Sequence, residues 1–160
     1  FFKLLMTGVA VAFVDTVGRR PLLLGGVGVM TLSVLTLGFC SETMASGDLA
    51  GTSFTARASV AAIFAYVGAY QVSFGPIAWL LVGEIFPQRV RSAAVGTATL
   101  TNFFSNFLVS LYLPTLNEKF GTAGTYYVFS IMSVIALSSI YLTVPETKGK
   151  TLEEIEESLK

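Results

Sequence analysis

The 160 residues are 53% hydrophobic and 12% charged, with a mean hydropathy of +0.72, too apolar for an ordinary soluble domain. Ten Lys and Arg balance ten Asp and Glu, so the net charge of zero argues against a nucleic-acid partner. There is no histidine, which excludes His-based metal sites and Ser-His or Cys-His nucleophiles, and the single Cys40 has no internal disulfide partner.

Residues 1–14 form an apolar helical run too short to span a bilayer and without the basic start or cleavage site of a signal peptide. It reads as the far end of a truncated helix, and the chain as a fragment of something larger. A charged turn, Asp15 to Pro21, leads into an apolar span over 22–40. A polar loop is expected from Ser41 to Arg57, then a second span over 58–82 that contains a Gly-Pro pair. Proline removes a helical hydrogen bond and clashes with the preceding turn, so this helix is expected to be broken at Gly75 and Pro76. Broken backbone at membrane depth is tolerated only beside protein or a water-filled cavity.

Gly83 to Arg91 is a second charged turn, and 93–113 a third span. Pro114 to Gly124 is expected as a polar loop, 125–144 as the last span, and 145–160 as a cytoplasmic tail. In that tail Thr151 and Glu154 form a capping box, with Leu152, Ile155 and Leu159 on one helical face. The pattern predicts an all-α, polytopic membrane bundle. Four crossings place Arg19, Arg20, Arg89, Arg91, Lys148, Lys150 and Lys160 on one side and only Arg57 and Lys119 on the other. The basic side is therefore assigned to the cytoplasm.

Positive-inside sorting does not require carboxylates at the same helix ends. Asp15 lies four residues before Arg19, Glu84 lies five before Arg89 and seven before Arg91, and Glu146 follows Pro145. Interlinked between helices, these charges would form a latch at the cytoplasmic face. Asn102 and Asn106 share a helical stripe in the third span, one turn after Thr99. Gln71, Gly75 and Trp79 repeat at intervals of four on the broken helix. Such amides serve either as hydrogen-bonding glue between helices or as a polar wall for a solute. With one tryptophan face beside them, they suit an uncharged, polyhydroxylated ligand. Lys3 is the exception to this neutral lining, about 18 Å along the helix from Asp15.

Four signatures, Asp15-x-x-Gly-Arg-Arg20, Gly75-Pro-Ile-Ala-Trp79, Glu84-Ile-Phe-Pro-Gln-Arg89 with Arg91, and Pro145-Glu-Thr-Lys-Gly149, occur in order with the expected crossings between them. In this the chain resembles the carboxy-terminal half of a sugar porter of the major facilitator superfamily, from the end of the eighth helix through the twelfth. Its local wording is similar to the plant and algal xylose– or glucose–proton symporter-like branch. The resemblance implies a single half-domain over 1–160 and transport of a hexose or pentose by alternating access, with protons as candidate co-substrates. It implies sugar contacts at Trp79, Asn102 and Asn106, with Gln71 departing from the glutamate of facilitative glucose carriers. Gly75 and Pro76 match the gating bend, and Asp15, Arg19, Arg20, Glu84, Arg91 and Glu146 the cytoplasmic charge network, in which Arg89 stands beside Arg91. The implied partners are the monosaccharide, the bilayer and a missing amino-terminal half; no cofactor, metal or enzymatic activity is implied. A non-transporting sugar sensor on the same fold is the alternative. Plasma membrane, vacuole and plastid envelope all fit.

Overall fold

The computed structural model describes residues 2–46 and 52–149; of these, Val11, Asp15 and Thr52 are described by their backbone alone. The expected tail helix with its capping box at Thr151 therefore lies outside the described residues. The chain order is α1 (Phe2–Val17), α2 (Arg19–Ala45), α3 (Thr52–Val72), α4 (Phe74–Ile85) and α5 (Arg91–Thr143). There is no strand among the described residues. Three stretches, Arg19–Ala45, Ser53–Ile85 and Arg91–Thr143, are long and apolar enough to cross a membrane.

Gly18 alone separates α1 from α2. Its φ of 107° lies in the region open to glycine, and a Cβ there would also sit 2.9 Å from the Glu146 carboxylate. Pro21 falls in the first turn of α2, where no intrahelical acceptor awaits its missing N–H. Along α2, Leu23, Val27, Thr31, Val34 and Gly38 recur every three or four residues and make the buried stripe. The Thr31 hydroxyl donates to the Val27 carbonyl at 2.8 Å, so its polar group is satisfied within the helix. Val14, Leu23, Val27, Ile77, Leu81 and Ile140 form the core, joining α1, α2, α4 and the end of α5.

Helix α3 stops at Val72, and Ser73 carries the irregular backbone, φ −118° and ψ −87°. The break thus comes before Gly75 and Pro76 rather than at them. The reason is the reach of proline: its ring and missing N–H act on the carbonyl four residues earlier, that of Val72. Hydrogen bonding closes on either side, Ser73 N–H to Ala69 O at 3.0 Å and Ile77 N–H to Ser73 O at 3.0 Å. The Ser73 hydroxyl donates to Ala69 O at 2.7 Å.

Helix α5 has 53 residues, which would measure about 80 Å if straight. Yet its first residue, Arg91, donates to Phe86 O, two residues beyond Glu84, and Glu84 accepts from Thr147, just past the other end. The helix must therefore fold back, and it does so at Gly121, φ 70° and ψ 174°. Residues 91–120 and 122–143 form two arms. The polar stretch expected as a loop, Pro114 to Gly124, is helical except at this one residue. Likewise α2 continues through Ala45, into the region expected as a loop. The second arm runs antiparallel to α2: Tyr127 donates to Glu42 at 2.7 Å at one end, and Arg20 meets Tyr141 at the other. The first arm exposes Leu100, Phe103, Phe104, Phe107 and Tyr112. In water such a surface would be untenable; in a bilayer it faces lipid or other helices.

Candidate functional site

The charged end of the bundle is built from residues far apart in sequence. Helix α2 begins without a side-chain cap of its own. Glu146 supplies one: its two oxygens accept from the backbone N–H of Arg19 and of Arg20, both at 3.1 Å, and from that of Lys148 at 2.9 Å. A carboxylate is suited to this place because the first N–H groups of a helix are unpaired and carry partial positive charge. Glu84, at the end of α4, bridges the Arg19 guanidinium at 3.3 Å and accepts from the Thr147 hydroxyl at 2.7 Å. Arg20 donates to the Tyr141 carbonyl at 2.7 Å and lies over its ring at 5.4 Å. Lys148 reaches the carbonyl of Thr16, at the end of α1.

The pairing differs from the one that spacing suggested. Glu84 turns to Arg19, not to Arg89 or Arg91. Between Glu84 and the two arginines the chain leaves the helix at Phe86, so offsets of five and seven residues no longer measure a shared face. Arg91 donates to Phe86 O at 3.4 Å, and Arg89 makes no polar contact among the described residues. Asp15 lies in the last turn of α1, and its side chain is outside the described set. Thr147 lies within the Pro145–Gly149 signature, which assigns it no role, and Tyr141 carries no signal in sequence beyond its nearness to Glu146.

The residues expected to form a polar wall lie on three elements. Trp79 on α4 is 45% exposed. Asn106 donates to the carbonyl of Asn102 at 2.9 Å and to its side-chain oxygen at 3.1 Å, so the two amides are linked along one helix. Asn102 also lines a cavity of about 630 Å³ with Phe86, Ala94, Thr97, Ala98 and Thr101. Gln71, on the last turn of α3, donates to the Thr7 hydroxyl of α1 at 2.9 Å. Gln71 and Trp79 thus stand on opposite sides of the Ser73 break. No hydrogen bond joins Trp79, Gln71 and the asparagine pair to one another among the described residues. Gly75 packs close to Tyr70, whose carbonyl would lie 3.1 Å from an added Cβ. No group of three or more His, Cys, Asp or Glu side chains placed to hold a metal occurs among the described residues.

Together the apolar helices, the interrupted span and the stapled end define an all-α, multi-pass integral membrane protein of the major facilitator class. The family model for "Sugar (and other) transporter" matches residues 1–159, and the chain belongs to this sugar transporter family. Relatives include D-xylose-proton symporter-like 3, chloroplastic, of Arabidopsis thaliana, 45% identical over 158 residues, or 99% of this chain and 27% of that protein. The glucose transport protein of Synechocystis sp. is 36% identical over 157 residues, 97% of this chain and 34% of that one. The inward-open xylose transporter XylE from E. coli superposes with a TM-score of 0.86 at 32% identity, over 99% of this chain and 33% of that chain. The chain therefore spans about a third of the length of these proteins.

Proposed function

We propose that the protein of which this chain forms part carries a monosaccharide, a hexose or pentose, across a membrane by alternating access, coupled to protons. The observation that carries this reading is the helix interrupted at Ser73 with Gln71 before the break and Trp79 after it. An amide offers hydrogen bonds to hydroxyls and an indole face packs on the C–H surface of a sugar ring. A broken helix near the bilayer midplane is where carriers of this architecture place their solute. The relatives named as proton symporters support the coupling. The basic end, rich in Arg19, Arg20, Arg89 and Arg91, supports a cytoplasmic location for the charge network.

On this reading Trp79, Gln71, Asn102 and Asn106 contact the sugar, and the bend leading into Gly75 and Pro76 gates it. The test is uptake by the full-length protein in liposomes. Trp79→Leu and Asn106→Ala are each expected to lower kcat/KM by about tenfold or more, the worth of one stacking or hydrogen-bonding contact in a dry site. Collapse of an imposed pH gradient is expected to abolish accumulation above the external level. Wild-type uptake in both variants would sink the site assignment, and accumulation indifferent to the gradient would sink the coupling.

A further inference from the structure

We propose that Thr7 is a positioning residue that decides which end of the Gln71 amide faces the sugar, making Gln71 a hydrogen-bond acceptor for a donating hydroxyl. This rests on the assignment of Gln71 to the sugar site made above.

Two contacts in series carry the argument. The Thr7 hydroxyl donates to the backbone carbonyl of Lys3 at 2.9 Å, and Gln71 Nε2 lies 2.9 Å from Thr7 Oγ1. A carbonyl can only accept, so the single hydroxyl proton is committed to Lys3 and Thr7 presents lone pairs to its other partner. Only the NH2 end of the glutamine can meet lone pairs. A flipped amide would have to take the proton away from Lys3. The amide nitrogen is therefore held against α1, and Oε1 is the end turned away from Thr7. Around this pair the α1–α3 seam is apolar, with the Phe2 ring edge-on to Phe64 at 5.2 Å and the Phe2 and Met6 side chains against Gly68. Among the described residues the Gln71 side chain has no hydrogen-bond partner besides Thr7. The contact lies two residues before the Ser73 break, at the edge of the wall that includes Trp79.

A carbonyl oxygen discriminates by what the sugar donates. A hydroxyl satisfies it, whereas hydrogen or fluorine at the same ring carbon cannot. The experiment uses the full-length protein in liposomes, with the monodeoxy and monofluoro-deoxy analogues of its best-carried sugar as competitors. In the wild type, at one ring position, both analogues are expected to compete about tenfold worse than the parent sugar. Thr7→Val releases the amide: KM is expected to rise about three- to tenfold with kcat nearly unchanged, and the fluoro analogue to gain on the deoxy one, because the freed NH2 can now face it. Thr7→Ser keeps the hydroxyl and should keep the wild-type pattern.

An unchanged KM and analogue pattern in Thr7→Val would overturn the inference, as would equal losses of kcat and melting temperature with the pattern preserved, the mark of a mere tie between helices. Should Thr7→Val not fold, the wild-type series still decides: a fluoro analogue competing as well as the parent at every position would overturn it. If the wild type carries no sugar at all, the carrier reading fails first, and this one with it.

Discussion

Glu146→Ala in the full-length protein is expected to lose sugar uptake by more than about tenfold and to favour the state open to the cytoplasm. The Glu146 carboxylate satisfies three main-chain N–H groups, those of Arg19, Arg20 and Lys148. It closes the start of α2 onto the exit of α5. Removing it leaves partly buried donors at a helix N-terminus, where each charge-assisted bond is worth about 1.5–3 kcal/mol. Glu146→Gln should be nearly as damaging, because its NH2 would confront a donor that now faces an oxygen. Glu146→Asp should recover part of the loss by keeping two acceptors. Cysteine accessibility at the charged end, measured beside uptake, separates a shift of conformation from simple misfolding. Wild-type uptake and accessibility in the alanine variant would show that the carboxylate holds nothing closed.

The second large effect is expected at Gly26. A Cβ at this position would lie 1.8 Å from Ser73 Oγ, 2.2 Å from Ser73 Cβ and 3.3 Å from the Ala69 carbonyl. Ser73 is itself only 1% exposed and its hydroxyl is bonded to Ala69 O at 2.7 Å, so it turns away only by giving up that bond. Gly26→Ala should therefore push α2 off the break, costing about 1–3 kcal/mol or more, and lower both melting temperature and uptake. Ser73→Gly in the same chain removes both of the closest clashing atoms and should restore most of the melting temperature. Such rescue is a coupling between two positions that additive effects cannot mimic. A Gly26→Ala protein with wild-type stability would mean that the contact is slack.

Much of the architecture was readable from hydropathy, because runs of apolar residues mark where helices meet hydrocarbon. Helix ends were less readable. Residues 114–120 are polar yet helical, since main-chain hydrogen bonding continues after the apolar surroundings end. Pro76 announced a broken helix, but the distortion falls at Ser73, one turn earlier, where the proline exerts its steric effect. At the charged end Arg19, Arg20, Glu84 and Glu146 stood out as charges at helix ends, but their partners did not. Arg19 and Glu84 are 65 positions apart, and Glu146 lies 127 beyond Arg19; spacing reports neighbours on one helix, not across a bundle. Thr7 was missed for a similar reason: one threonine in an apolar helix carries no pattern, and only the approach of α3 gives its hydroxyl a use.

The way α4 is fastened has a mechanical consequence. Helices α1 and α2 meet at a one-residue elbow, and Glu146 ties that elbow to the chain leaving α5 through main-chain groups. Helix α4 packs Ile77 and Leu81 into the core but has no such main-chain tie at its charged end among the described residues. Its upper end rests on the Ser73 irregularity, and at its lower end Glu84 grips Arg19 and Thr147 by side chains alone. Twelve residues make a lever about 18 Å long, so a swing of about 10° moves its tip about 3 Å. A displacement of that size would stretch the 3.3 Å and 2.7 Å contacts beyond hydrogen-bonding range together, so the two grips would open as one.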